Sequence, residues 1–203
     1  MIPVVVMEEN QQLPNSNIYY MIGENGQFIR KKIGLIDCVV PVSKISVLQK
    51  IKPYAKLNIP KISEEVFAKV VSFFREVYNL YRSESIVLLY YNENAKSKYL
   101  IHVPFQKVKG SSIDYLRANT IKDYTLVCSI HSHSDFGAFH SGTDTNDEKD
   151  FDGLHITVGN LADQMVSIVS SIAINGFRVT TDPIDYIEGI DIAPEEDEDS
   201  GPF

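Results

Sequence analysis

The chain has 203 residues, 44% of them apolar and 23% charged, with a net charge of −8 at pH 7. That is the balance of an ordinary globular protein, long enough for one sizeable domain or a core domain with a small accessory part. The acidic balance argues against nucleic acid and anionic membrane surfaces as partners, although part of it lies in the run PEEDEDSG near the C-terminus.

Cys38 and Cys128 each lie in an apolar run and are expected to be buried, reduced thiols, with no zinc-finger or redox spacing between them. The opening run MIPVVVMEEN is too short for a signal peptide or a membrane span. No other apolar run approaches about 18 residues, so a cytoplasmic location is expected.

Taken in chain order, the first 60 residues are strand-rich, with IPVVVM, IYYMIG, QFIRKKIG and IDCVVPV as short β-branched or aromatic runs. GENG is a tight-turn signal, so 17–33 is expected to form a hairpin. SVLQKIKPYAKLNIPKIS, broken by Pro53 and Pro60, is expected to be a short helix and a linker. Ser63 then precedes a clear helix, EEVFAKVVSFFREVYNLYR, with acids in its first turn. Val66, Val70, Phe73, Phe74, Val77 and Leu80 recur on it at helical spacing.

SIVLLYY and KYLIHVP form a predicted hairpin of buried strands, and TLVCSIHSH is a third strand. TDTNDEKDFD is a short helix candidate. LHITVGN and MVSIVSSIAING form a last strand pair, with FRVTT pairing on. Residues 192–203 are expected to be a mobile acidic tail. The expected organisation is a strand-rich accessory region over 1–60, an α/β (α+β) domain on one mixed sheet flanked by helices over 61–190, and a tail over 191–203.

The chemistry concentrates in HSHSDFGAFHSGTD, residues 131–144. His131 and His133 end an apolar strand, where residues two apart share a face at about 6–7 Å between Cα atoms. Both imidazoles can therefore reach one ion at about 2.0–2.1 Å. Asp144, at a predicted helix start beyond a glycine-containing loop, is the natural third ligand. Two imidazoles and a carboxylate with an open fourth position suit a catalytic zinc (Zn2+) rather than a structural one. A zinc hydrolase also needs a base. Glu84, just before SIVLLYY, is the candidate, and Glu148, one helical turn after Asp144, is its rival. Ser141 suits an oxyanion donor and, equally, the cap of the following helix.

His-x-His, seven residues, Ser, two residues, Asp, with an upstream glutamate, resembles the JAMM (JAB/MPN) metalloprotease motif over roughly residues 62–180. VPFQKV and AFHSGTDTNDEKDFDGLHITVGN are similar to the bacterial and phage-type branch, whose members often accompany ubiquitin-like conjugation systems. The resemblance implies a cytidine-deaminase-like fold and a zinc hydrolase cutting peptide or isopeptide bonds after a ubiquitin-like C-terminus. It makes His131, His133 and Asp144 the zinc ligands, Glu84 the base and Ser141 the oxyanion donor. The implied partners are a ubiquitin-like protein or its conjugates, and its activating and conjugating enzymes. Ser134 stands where many members have proline, which removes no ligand. The alternatives are a catalytically silent scaffold that docks through residues 1–60 and, more weakly, a zinc hydrolase acting on a nucleic-acid-linked substrate.

Among the rest, His140 is expected to face solvent from its loop, and His102 and His155 to be structural. Asp147, Asp150 and Asp152 are expected to be helix and turn acids, and Tyr90, Tyr91 and Phe105 core residues. The polar stretch QKVKGSSIDY is expected to border a groove for an extended peptide, which can add as a strand at a sheet edge.

Overall fold

The computed structural model describes residues 2–109, 112–115, 120–139, 151–190 and 201–202. The chain divides into two compact units, 1–52 and 53–203.

The first unit is a four-stranded sheet in the order β1-β2-β3-β4. β1 (Val4–Val6) runs parallel to β2 (Ile18–Gly23), and β3 (Gly26–Ile33) and β4 (Ile36–Pro41) follow as antiparallel hairpins. The GENG turn closes the first of these, with Gly23 opposite Gly26 and Gly26 at φ +131°. Tyr20, Ile29 and Ile45 form a small core. Arg30 lies over the Tyr19 ring and pairs with Asp37 at 2.8 Å. Cys38 is only half-buried, because edge strand β4 is covered on neither face. No helix forms over 43–62. Pro53 and Pro60 remove donors that a helix needs, and residues 55–59 instead lay Ala55, Leu57 and Ile59 along the core of the second unit.

The second unit is built on a seven-stranded sheet in the order β13-β12-β11-β10-β9-β5-β6. Its strands are β5 (Ile86–Tyr91), β6 (Tyr99–His102), β9 (Thr125–His133), β10 (Gly153–Gly159), β11 (Ser167–Ile174), β12 (Phe177–Thr181) and β13 (Gly201–Pro202). All neighbours are antiparallel except β9 and β10. Asn175 and Gly176, at φ 52° and 72°, make the two-residue turn between β11 and β12. Gly201–Pro202, expected in a mobile tail, instead pairs with β12. β7 (Gln106–Lys109) and β8 (Ser112–Tyr115) form a separate hairpin within the polar stretch QKVKGSSIDY. The helix candidate in TDTNDEKDFD lies largely outside the described residues.

One α-helix, α1 (Glu64–Tyr81), covers one face of this sheet among the described residues. Ser63 caps it by accepting from the Val66 N–H, and Arg82 ends it in a left-handed conformation, its guanidinium 4.7 Å from the Tyr78 ring centroid. The buried stripe is Phe67, Val70, Phe74 and Tyr78, not the predicted row through Leu80, which is exposed. The aromatic rings turn the helix toward themselves because they bury more surface than Val66 or Leu80 would. They meet Val87 and Leu89 of β5, Cys128 and Ile130 of β9, and Leu154, Ile156 and Val158 of β10. The opposite face has its own cluster, Ile86, Leu88 and Tyr90, packed with Tyr115, Ile121 and Tyr124.

Phe74 is fully buried in the larger cluster. Phe74→Ala is expected to destabilise the 53–203 unit by about 3–5 kcal/mol, measured by denaturant unfolding. A loss under about 1 kcal/mol would contradict this packing.

Candidate metal centre

Parallel neighbours cannot be joined by a tight turn. The chain therefore leaves the C-terminal end of β9 and crosses over through residues 134–152 to re-enter at the start of β10. Alternation along β9 sends Cys128 and Ile130 toward α1 and Ser129, His131 and His133 to the other face. On β10 the residues paired with these three are His155, Thr157 and Gly159. A sheet end flanked by such a crossover is where open α/β sheets place their ligands.

β5 brings Glu84 to the same end. Ile86 pairs with His131, and the Ser132 N–H donates to the Ser85 carbonyl at 2.9 Å, carrying the antiparallel register one step further. Half-buried Glu84 directly precedes Ser85, just beyond the paired residues of β5.

The His131 and His133 rings are buried, and their Nε2 atoms stand 3.3 Å apart. Two nitrogens bound to one tetrahedral zinc at 2.0–2.1 Å would be separated by about 3.3–3.4 Å. The pair therefore fits a zinc ion. The Thr157 hydroxyl lies 3.4 Å from His131 Nε2, and the Phe139 ring stands edge-on to His133 at 4.7 Å. Among the described residues no third His, Cys, Asp or Glu joins the two histidines in a ligand cluster. Asp144 and Ser141 lie outside the described residues, as do Glu148, His140, Asp147 and Asp150.

The crossover is fastened at both ends. Behind the histidines, the Leu161 and Asn160 N–H groups donate to the carbonyls of Ser134 (2.9 Å) and Phe136 (2.6 Å), and the Ala138 N–H donates to the Ser167 hydroxyl (2.7 Å). This backbone lies so close over β10 that a Cβ on Gly159 would sit 2.2 Å from the Ala138 nitrogen and 2.4 Å from the Phe136 oxygen. Only glycine leaves room for it. At the far end, His155 Nε2 lies 2.9 Å from the Phe151 carbonyl and Nδ1 lies 2.8 Å from the Ser129 hydroxyl. A carbonyl only accepts, so Nε2 carries a proton and, in the neutral ring, Nδ1 accepts from Ser129. His155 thus ties the returning chain to the sheet, a structural post.

His102 packs edge-on to Tyr90, and Asp152 accepts from the Asn175 N–H as a turn acid. Tyr90 is in the core, but Phe105 is exposed at 70% and Phe136 at 66%, so Phe105 is not the expected core residue. It sits between buried Pro104 and Gln106, whose side chain is occupied with the β5 backbone. Complete burial pushes the Cys128 thiol well above its ordinary pKa and keeps it neutral, so it offers no nucleophile. Gly159 and Gln106 were not singled out from sequence. The only local sign of the first was a glycine ending an apolar strand.

Gly159→Ala is expected to lower stability by roughly 1–3 kcal/mol and to speed amide exchange at Ala138, Asn160 and Leu161. Unchanged exchange at those three amides would show that the loop does not rest on this glycine.

Residues 71–171, from within α1 to within β11, match the family described as prokaryotic homologs of the JAB domain. No curated protein matches the chain. No helix among the described residues is long and apolar enough to cross a membrane. The mixed α+β architecture agrees with the family, which includes metallohydrolases and also inactive members. Through residues 71–171 the chain belongs to the prokaryotic JAB-domain proteins.

Proposed function

We propose that the chain is a zinc-dependent peptidase or isopeptidase that hydrolyses the bond after the C-terminus of a ubiquitin-like modifier. The observation that carries this is the 3.3 Å approach of His131 Nε2 and His133 Nε2, at the sheet end where β5, preceded by Glu84, begins. His131, His133 and Asp144 would hold the zinc. Bound there, it would polarise the scissile carbonyl and lower the pKa of the attacking water.

Glu84 accepts a proton as the water oxygen bonds to the carbonyl carbon. The Ser141 hydroxyl donates to the resulting oxyanion. When the C–N bond breaks, Glu84 passes its proton to the departing amine, leaving a carboxylate product and a free amine. Phe139 stands beside His133, and the backbone of 136–138 lies over Gly159 on the same side of the sheet. The β7–β8 hairpin, which among the described residues pairs only with itself, offers an edge to which a substrate tail adds as a strand. Two free cysteines are consistent with action in the cytoplasm. Residues 61–190 would be the catalytic domain and residues 1–60 an accessory region that docks partners of the modifier system.

Metal analysis of freshly purified protein is expected to find about one zinc per chain, lost in His131→Ala and His133→Ala. Glu84→Gln is expected to keep the zinc and to lose on the order of 10²–10⁴ in the rate of cleaving a ubiquitin-like fusion. Full activity in Glu84→Gln would remove the glutamate from the mechanism. Equal activity after complete chelation would remove the zinc. A zinc-free chain that still binds a modifier would favour the silent scaffold.

A further inference from the structure

We propose that Gln106 is a positioning residue whose side-chain amide fastens the β7–β8 hairpin to the end of β5 and thereby sets a substrate strand in register with Glu84, His131 and His133. This rests on the function proposed above, in which the hairpin edge receives the substrate tail.

β5 pairs with β6 only from Leu88, opposite His102, to Tyr91, opposite Tyr99. Continuing that register by one hydrogen-bonded step would set Ile86 opposite Pro104. Proline has no N–H to give the Ile86 carbonyl, so the ladder cannot continue. Gln106 takes the place of the missing strand residue. The Ile86 N–H donates to Gln106 Oε1 at 2.8 Å, and Gln106 Nε2 donates to the Ile86 carbonyl at 3.1 Å. One planar amide supplies both bonds that a paired backbone would have made, which requires a donor and an acceptor on the same group. Glutamate lacks the donor, leucine lacks both, and asparagine is one methylene shorter.

The clamp is close to the reacting groups. Ile86 is the register partner of His131, and Glu84 lies two residues earlier on the same strand end. Gln106 is also the first residue of β7, paired with Tyr115 of β8. The hairpin thus meets β5 in two ways, through the packing of Tyr115 on Ile86, Leu88 and Tyr90 and through this amide, which alone of the two fixes a hydrogen-bonded register. A substrate strand laid on a hairpin without the clamp would still bind, but its scissile bond would stand out of line, and small misplacements of that kind are costly in rate.

The experiment compares two substrates on the full-length zinc-loaded chain and on Gln106→Leu and Gln106→Glu. One is ubiquitin extended at its C-terminus by a short peptide, which can lie along the hairpin. The other is a blocked diglycine amide with a fluorogenic leaving group, too short to reach it. The clamp predicts unchanged zinc content, a fall in kcat of about tenfold or more on the ubiquitin extension with KM within about twofold, and diglycine cleavage within about twofold of wild type. Parallel losses on both substrates would mean that Gln106 merely supports the fold, and no loss on either would mean that it positions nothing; both overturn the proposal. If the wild-type chain cleaves neither substrate, the proposed function fails, and the clamp is read from amide exchange alone. Exchange at Ile86 and along β7–β8 about tenfold faster in Gln106→Leu, with β9 unchanged, would support the clamp. Unchanged exchange there would overturn it.

Discussion

The parallel pairing of β9 with β10 is the constraint on which the rest of the candidate centre depends. Every other neighbouring pair in the seven-stranded sheet is antiparallel. This single pair obliges the chain to travel back along the sheet before β10 can begin. The two histidines stand where that journey starts and His155 where it ends. Had β9 and β10 been antiparallel, a short turn could have joined them, and the backbone of residues 136–138 would not lie over Gly159.

The sheet divides its labour by face. The α1 side is apolar and close-packed through Phe67, Val70, Phe74, Leu89, Ile130 and Ile156. The other side carries a polar row at the β9–β10 seam, Ser129 and His155, then His131 and Thr157, then His133 and Gly159. Ser129, His131, His133, His155 and Thr157 are all buried. Buried polar groups are tolerable only when partnered. The row meets that condition partly by itself, through Ser129 to His155 and Thr157 to His131, and partly through the Phe151 carbonyl. The apolar face holds the strands at fixed spacing, so the polar face can keep its side chains close without a large core of its own.

Much of this was legible in the sequence because it is local. The period of two in HSH, the serine cap and acids of α1, and the Asn-Gly turn between β11 and β12 are written into neighbouring residues. What escaped was non-local. The seating of α1 depended on which side chains found depth, and Phe67 and Tyr78 outweighed Val66 and Leu80. The run with Val47, Leu48 and Ile51 looked helical until Pro53, yet the following residues gained more by lying extended across the larger core. Gly159 and Gln106 owe their importance to chain segments about 20 residues away in sequence, the first to residues 136–138 and the second to Ile86. No short-range pattern announces either. Glu84 is proposed from its place just before an apolar strand together with the resemblance. The structure adds that β5, which begins two residues after Glu84, pairs with β9 at His131.

The contact between Gly159 and the backbone of residues 136–138 also bears on the order in which the domain can assemble. His131 and His133 acquire their spacing as soon as β9 forms, since it comes from one strand alone. The stretch beyond them has nothing to rest on until β10 has docked with its glycine in place, which requires closing the loop across residues 134–152. A nascent chain therefore presents a two-histidine chelate well before it presents an enclosed site. Metal captured at that early stage would be held weakly and exchange freely, and its retention would wait on the pairing of β10 with β9.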